Sequence, residues 1–85
     1  MQVTKNDVAE AIVRYTNHET TLDELVDWAE NAMMEARFEP ENHDLIRDIV
    51  ARLGLADVRE FGLSWDDCYD FLNRLGYKVK VSATR

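Results

Sequence analysis

The stretch GLSWDDCYDFLNRLG, residues 62–76, contains the side chains with the clearest capacity for chemistry. Asp66, Asp67 and Asp70 offer carboxylate oxygens, and Cys68 offers a thiol. A calcium loop places its oxygen ligands at fixed positions around a glycine turn, and this stretch has neither that spacing nor that turn. A nucleophilic cysteine needs an adjacent base and a positive setting, whereas Cys68 follows two acids. These residues therefore predict neither a metal site nor a catalytic site.

The two histidines do not supply such chemistry either. His18 and His43 stand beside acidic residues at predicted helix entries, and a zinc site needs further His or Cys ligands at suitable spacing. We predict surface or helix-capping roles for both, with a shared site only if the two turns meet in space. The chain has no glycine-rich phosphate loop. We therefore predict a protein that is not an enzyme and that binds no cofactor or metal.

Helix starts account for the recurring acids. A hydroxyl residue followed three positions later by a carboxylate is the pattern of a capping box, in which side chains satisfy unpaired N–H groups of the first turn. The pattern occurs three times, as Thr4 with Asp7, Thr21 with Glu24, and Ser64 with Asp67. Each cap contributes on the order of 1 kcal/mol.

The apolar spacing extends these starts into four helices. We predict helices over residues 4–16, 21–37, 41–53 and 64–75. Pro40 suits the opening of the third helix, Gly54 is expected to end it in a left-handed conformation, and Gly76 is expected to end the fourth. Residues 55–63 predict a short helical turn.

The apolar face of each helix defines the expected core. The inward residues are Val8, Ala11, Ile12 and Tyr15 in the first helix; Leu22, Leu25, Val26, Ala29, Ala32, Met33 and Ala36 in the second; Leu45, Ile46, Ile49, Val50 and Leu53 in the third; and Trp65, Cys68, Leu72 and Leu75 in the fourth. The predicted fold class is mainly α, a small four-helix bundle.

A short C-terminal β-strand completes the predicted fold. In residues 77–81, Tyr77, Val79 and Val81 alternate with Lys78 and Lys80, which is a strand pattern. A strand needs a partner for its backbone groups, and the other extended candidates are residues 2–4 and part of 57–63. We expect pairing within the chain or with the same strand, 77–81, of a second copy.

Length and composition place limits on the whole chain. Eighty-five residues with 46% hydrophobic content suffice for one domain, residues 1–85. No apolar run approaches the roughly 18 residues that span a bilayer, and the N-terminus lacks the pattern of a secretory signal. The single cysteine excludes an internal disulfide. We predict a cytoplasmic protein that does not contact a membrane.

Nucleic-acid binding is not predicted. Residues 48–71 look like helix, turn, helix, in which the second helix would enter the major groove N-terminus first. Its leading residues would be Trp65, Asp66 and Asp67, and the net charge of the chain is -7. Phosphate contacts require Lys or Arg, so this arrangement would repel DNA.

The negative charge is concentrated in one segment. Residues 19–44 contain nine acids and one base, Arg37, which is 1 minus 9, or -8, and leaves +1 for the rest of the chain. Capping explains the acids of the first turn. Asp23 and Asp27, however, form a like-charge pair at i,i+4 spacing, which costs about 0.2–0.5 kcal/mol. Helix stability therefore does not account for all of these carboxylates.

The second helix is accordingly predicted to carry a partner-binding surface. On a helical wheel Asp23, Asp27 and Glu30 surround the outward-facing Met34, and Trp28 lies on the shoulder of this face. An acidic ring around a flexible apolar side chain suits a basic protein partner, because charge speeds encounter and apolar contact prolongs it. The alternative interpretation is a solvated acidic face with one exposed methionine.

The stretch TTLDELVDWAENAMME, with the length and charge of the chain, resembles the small acidic helical immunity proteins of bacteria that neutralise nuclease bacteriocins, and some antitoxins. The resemblance implies a bacterial, cytoplasmic, non-catalytic inhibitor that binds a basic protein. The chain lacks the Tyr-Tyr-Pro segment of the colicin-nuclease immunity proteins, so no binding residue is carried over from them. The alternative function is a structural or assembly subunit that self-associates through residues 77–81.

Overall fold

A computed structural model of the chain describes residues 2–35, 37–58 and 62–77. Most of the described residues lie in helices: α1 Lys5–Thr16, α2 Leu22–Glu35, α3 His43–Leu53 and α4 Trp65–Arg74. Two short strands, β1 Gln2–Val3 and β2 Arg37–Phe38, pair in parallel, and a 3-10 turn over Pro40–Asn42 leads into α3. The fold is mainly helical with a small two-stranded sheet, as the apolar spacing predicts in its helical part.

All three predicted capping boxes are confirmed. At the start of α1 the backbone N–H of Asp7 donates to the Thr4 hydroxyl at 3.2 Å, and the N–H of Thr4 donates to the Asp7 carboxylate at 3.0 Å. The same reciprocal bonds join Thr21 to Glu24 before α2 and Ser64 to Asp67 before α4. These local bonds place the starts of α1, α2 and α4 within one residue of the prediction, whereas α3 begins two residues later than predicted, after the 3-10 turn.

The end of α2 differs from the prediction. The helix was expected to continue to Arg37, but it ends at Glu35, and Arg37–Phe38 forms β2 beside Gln2–Val3. Residues 2–4, one of the candidate extended segments, contain β1, which pairs with β2. Two further bonds hold this corner: the N–H of Glu39 donates to Val3 O at 3.0 Å, and the N–H of Lys5 donates to Glu39 Oε1 at 2.9 Å. A two-residue strand carries no periodic signal, so its existence depends on this distant pairing.

The core forms where α1 meets the other three helices and where α2 packs extensively on α3. Its largest fully buried side chains come from β1 and from α1, α3 and α4 and their ends: Val3, Val8, Ile12, Ile46, Ile49, Val50, Leu53, Cys68 and Leu75. Leu25, Ala29 and Ala32 of α2 are buried against them. Most of the predicted inward residues are therefore confirmed.

Two predicted core residues lie at the surface instead. Trp65 is 46% exposed, because it occupies the first turn of α4. Its ring packs against the rings of Tyr15 and His18, with centroid distances of 5.6 and 5.8 Å. Met33 is 44% exposed in the last turn of α2, just before the chain leaves the helix for β2. The helical period predicts which way a side chain points from its helix. A side chain near a helix end is nevertheless buried only if another element covers it.

The predicted left-handed cap at Gly54 is wrong. Gly54 has φ -66°, and the chain continues in right-handed turns because Leu55 and Ala56 donate to the carbonyls of Arg52 and Leu53. Positive φ occurs at Gly62 (52°) and at Gly76 (94°), which follows α4 as predicted. Of the turn expected in residues 55–63, residues 59–61 lie outside the described residues.

The predicted C-terminal strand falls almost wholly outside the described residues, since these end at Tyr77. Tyr77 itself is held against the helices: its N–H donates to Leu72 O at 2.9 Å, and its hydroxyl donates to Asn6 Oδ1 at 3.2 Å. Strand formation over residues 77–81, and self-association through it, remain predictions.

Candidate protein-binding surface

Cys68 lies in the core and not in a reactive setting. Its side chain is fully buried, and burial together with the nearby charge of Asp67 raises the pKa of the thiol from 9.0 to about 11. The thiolate, which is the nucleophilic and metal-binding form, is therefore scarce at neutral pH. Within residues 2–35, 37–58 and 62–77, no group of three His, Cys, Asp or Glu side chains is placed to hold a metal ion.

The two histidines pack against different aromatic rings. The His18 ring meets the Trp65 ring edge-on at 5.8 Å, and its backbone has a positive φ of 62°. The His43 ring meets the Phe38 ring at the same centroid distance, and its Nδ1 lies 3.3 Å from an Asp44 carboxylate oxygen. His18 therefore packs from the turn after α1 onto the start of α4, whereas His43 packs from the start of α3 onto β2.

The outward side of α2 brings together four of the five predicted binding residues. Asp23, Asp27 and Glu30 are exposed, and Met34 is 79% exposed beside them. We call these four residues the acidic face. The opposite side of α2 is fixed by burial against α3 and the core, so the fold holds this face outward.

The carboxylates of the acidic face have no cationic partner among the described residues. The ion pairs found there join His43 to Asp44, Arg47 to Asp48, and Arg52 to Asp67. Glu30 lies beside the C-terminal end of α3, since a Cβ built on Gly54 would be 3.9 Å from Glu30 Cγ. The carbonyl end of a helix is a negative environment, so this position does not favour a carboxylate.

Several other acids of the segment 19–44 serve the fold. Glu24 completes the cap of α2. Glu39 accepts the backbone N–H of Lys5 and the side-chain N–H of Asn42, which ties α1 to the 3-10 turn. Asp44 lies beside His43. Sequence spacing reveals the first role but not that of Glu39, whose partner Lys5 is 34 residues away.

Trp28 stands apart from the acidic face. It lies about 120° around α2 from Met34, is half-buried, and packs against the core on the side that faces α1. There it lines a cavity between α1 and α2.

The apolar spacing wrongly predicts Met33 as a core residue, because the helical period points its side chain inward. Its position one turn from the end of the predicted helix is the signal that could have identified it as a surface residue.

Helices in the described part of the chain are too short or too polar to cross a bilayer. Comparison of the chain with protein-family models, with curated proteins and with solved structures gives no match.

Proposed function

We propose that this protein is a non-catalytic protein-binding module and that its acidic face binds a basic protein partner. The observation that carries the proposal is the 79% exposure of Met34 among carboxylates that have no cationic partner in the described residues. A flexible thioether supplies apolar contact that adapts to a partner, while the surrounding charge raises the rate of encounter with a basic surface.

The acidic face is not explained by stability. Asp23 and Asp27 repel each other at i,i+4 spacing by about 0.2–0.5 kcal/mol, and Glu30 lies near the negative end of α3. The last turn of α2 contains no basic residue that would offset these charges. Asp27 and Glu30 lie beyond the first turn of α2, which is the turn where the positive end of the helix would favour them, so these two are the candidates for a role outside the fold.

The proposal extends to the type of partner and to the scaffold. The acidity, length and helical character that resemble the bacterial immunity proteins and antitoxins support an inhibitor that neutralises a basic protein, such as a nuclease. In this role the four helices would act as one bundle whose buried side holds the acidic face rigid. A preformed face lowers the conformational entropy lost on binding.

The test uses the chain as bait for proteins from its native host, identified by mass spectrometry. The bait variant Asp27→Asn/Glu30→Gln removes two charges of the acidic face without changing side-chain size. We expect wild type to retain a basic protein, and the variant to associate with that protein about tenfold more slowly at low salt. The difference should shrink at high salt, where the charges are screened.

The matched control is Glu41→Gln/Asp57→Asn, which removes the same charge from two exposed positions elsewhere. The control should associate at nearly the wild-type rate. Equal slowing by both variants would reduce the effect to net charge and contradict a specific acidic face. Met34→Ala should leave the association rate unchanged and speed dissociation, because it removes apolar contact and no charge.

A further inference from the structure

A groove of about 550 Å³ runs along one side of α1. Its apolar lining consists of Ala9 and Val13, which lie one turn apart on the helix, and of Tyr77. Val13 is 39% exposed and Tyr77 is 38% exposed, so the described elements leave apolar surface open in the groove. The polar residues of the rim are Asn6, Glu10, Arg14 and Glu19.

The described part of the chain ends at a wall of this groove. Tyr77 is its last residue, and two hydrogen bonds hold it there: its N–H donates to Leu72 O at 2.9 Å, and its hydroxyl donates to Asn6 Oδ1 at 3.2 Å. Residues 78–85 follow in the sequence. The C-terminal segment therefore leaves the described fold at the groove.

Two valines of this segment match the apolar positions of α1 in spacing. Val79 and Val81 are two residues apart, which is about 6.6 Å in an extended chain. Ala9 and Val13 are four residues apart on α1, which is about 6 Å along the helix axis. In an extended conformation the two valines can therefore meet both helix positions at once.

The segment is also long enough to reach these positions. The distance along α1 from Asn6, which accepts the bond from the Tyr77 hydroxyl, to Val13 is about 10 Å. Four extended residues, 78–81, span about 13 Å. The reach of the segment therefore equals or exceeds the length of the groove.

The charges of the segment and of the groove are complementary. Residues 78–85 contain three bases and no acid, whereas the acids Glu10 and Glu19 at the rim have no ion-pair partner among the described residues. Lys78 and Lys80 alternate with the valines, so in an extended chain they point away from the side that carries the valines. Their long side chains can then reach the carboxylates of the rim.

We propose that residues 78–81 occupy the α1 groove of their own chain. The valines cover its apolar wall, and the lysines pair with the acids of its rim. Because Tyr77 already fixes one end of the segment, this contact is intramolecular and has a high effective concentration. A segment held in this way is not free to pair with a second copy, so the proposal opposes the alternative of self-association through residues 77–81. It does not depend on whether the acidic face binds a protein.

Disulfide trapping in the full-length protein tests the site. The variant Val13→Cys/Val81→Cys places one thiol in the groove and one on the segment, and the control Asn73→Cys/Val81→Cys places the first thiol on α4 instead. Val13 and Asn73 are both exposed, so neither substitution alters the core. The carbonyl of Asn73 accepts the N–H of Gly76 at 3.0 Å, so the control position lies beside the start of the segment. A segment without a preferred site would therefore form the control disulfide readily.

We expect the groove variant to form its intramolecular disulfide at least about tenfold faster than the control at micromolar protein concentration. Peptide mass spectrometry identifies each disulfide, since the buried Cys68 is a third thiol in both variants. Equal rates, or a faster control, would overturn the proposal. A disulfide-linked dimer as the main product of the groove variant would place the segment of a second copy in the groove, and this outcome would also overturn it.

Backbone amide signals in NMR spectra give a second measurement without introduced cysteines. Val79→Ser/Val81→Ser removes the apolar contact and should shift the signals of Ala9 and Val13. The control Ala83→Ser changes a residue beyond the docked part of the segment and should leave these two signals in place. Unchanged signals of Ala9 and Val13 in the double variant, or shifts confined to the acidic face of α2, would refute the α1 site.

Discussion

At the scale of single residues, surroundings decide what a side chain can do. Cys68 follows two acids in sequence and becomes an inert core thiol because α4 turns it inward. Met34 and Trp28 belong to one helix, yet the first is exposed and the second half-buried. Each of these outcomes depends on which neighbouring element covers the residue.

The Cys68 thiol should react slowly in the folded protein. Burial and the raised pKa of about 11 keep it protonated and covered, so we expect its reaction with a disulfide reagent at pH 8 to be at least about a hundredfold slower than in denaturant. The measurement is the rate of colour release with and without urea. Equal rates would show that the thiol is open to solvent.

The same pKa shift predicts a pH dependence of stability. The pKa of Cys68 is raised from 9.0 to about 11 in the folded state, so between these values the unfolded chain releases the proton first. The free energy of unfolding should therefore fall as pH rises through this window and be unaffected by Cys68 below it. Urea unfolding of wild type and Cys68→Ala at pH 8 and pH 10 checks this, because the decrease should be smaller in the variant.

At the scale of elements, three helix starts rest on local hydrogen bonds, and the end of α2 rests on a distant one. The starts of α1, α2 and α4 each rest on two side chains three residues apart, whereas α3 has no side-chain cap. At the start of α4, the hydrogen bond from the Ser64 backbone N–H, together with the Ser64 side chain and the charge of Arg52, lowers the pKa of the Asp67 carboxyl. The end of α2 instead depends on pairing between β2 and β1, which are distant in sequence. Spacing along the chain therefore predicts the ends of α1 and α3 at Thr16 and Leu53, but it misses the end of α2 by two residues because a distant strand determines it.

Removing a cap should cost the amount expected of a local bond. Ser64→Ala and Thr21→Ala should each lower the free energy of unfolding by about 1 kcal/mol. Thr16→Ala is the matched control: its hydroxyl donates to Val13 O at the end of α1 and caps no helix start, so its effect should be smaller. Urea unfolding at neutral pH measures all three. A Ser64→Ala cost no larger than that of the control would contradict the role of the cap.

At the scale of the whole molecule, the net charge of -7 and its concentration in residues 19–44 act on stability and association together. A chain far from neutrality repels itself, and added salt screens that repulsion. The buried side of α2 stabilises the fold through the core, whereas the like charges of the acidic face lower the stability of the fold by repelling one another. The proposed partner would relieve this opposition by supplying positive charge.

Neutralising the acidic face should stabilise the protein. Asp27→Asn/Glu30→Gln should raise the free energy of unfolding by about 0.5 kcal/mol at low salt, because it removes a like-charge pair and a carboxylate near the end of α3. The gain should shrink in about 0.5 M NaCl. Urea unfolding at both salt concentrations measures this, with Glu41→Gln/Asp57→Asn as the control. A less stable variant would mean that these acids support the fold, and the proposed surface would lose its physical basis.

The sequence by itself determined the features that arise within a turn or two of helix: the three capping boxes, the four helices, most of the core, and the outward placement of Asp23, Asp27, Glu30 and Met34. Tertiary structure decided the rest, namely the β1–β2 pairing, the role of Glu39, the exposure of Trp65 and Met33, and the cavity between α1 and α2. The physical reason is the distance along the chain between the residues that interact. Caps and apolar periodicity act between residues three or four positions apart, whereas coverage, pairing and cavities depend on segments that meet only when the chain is folded.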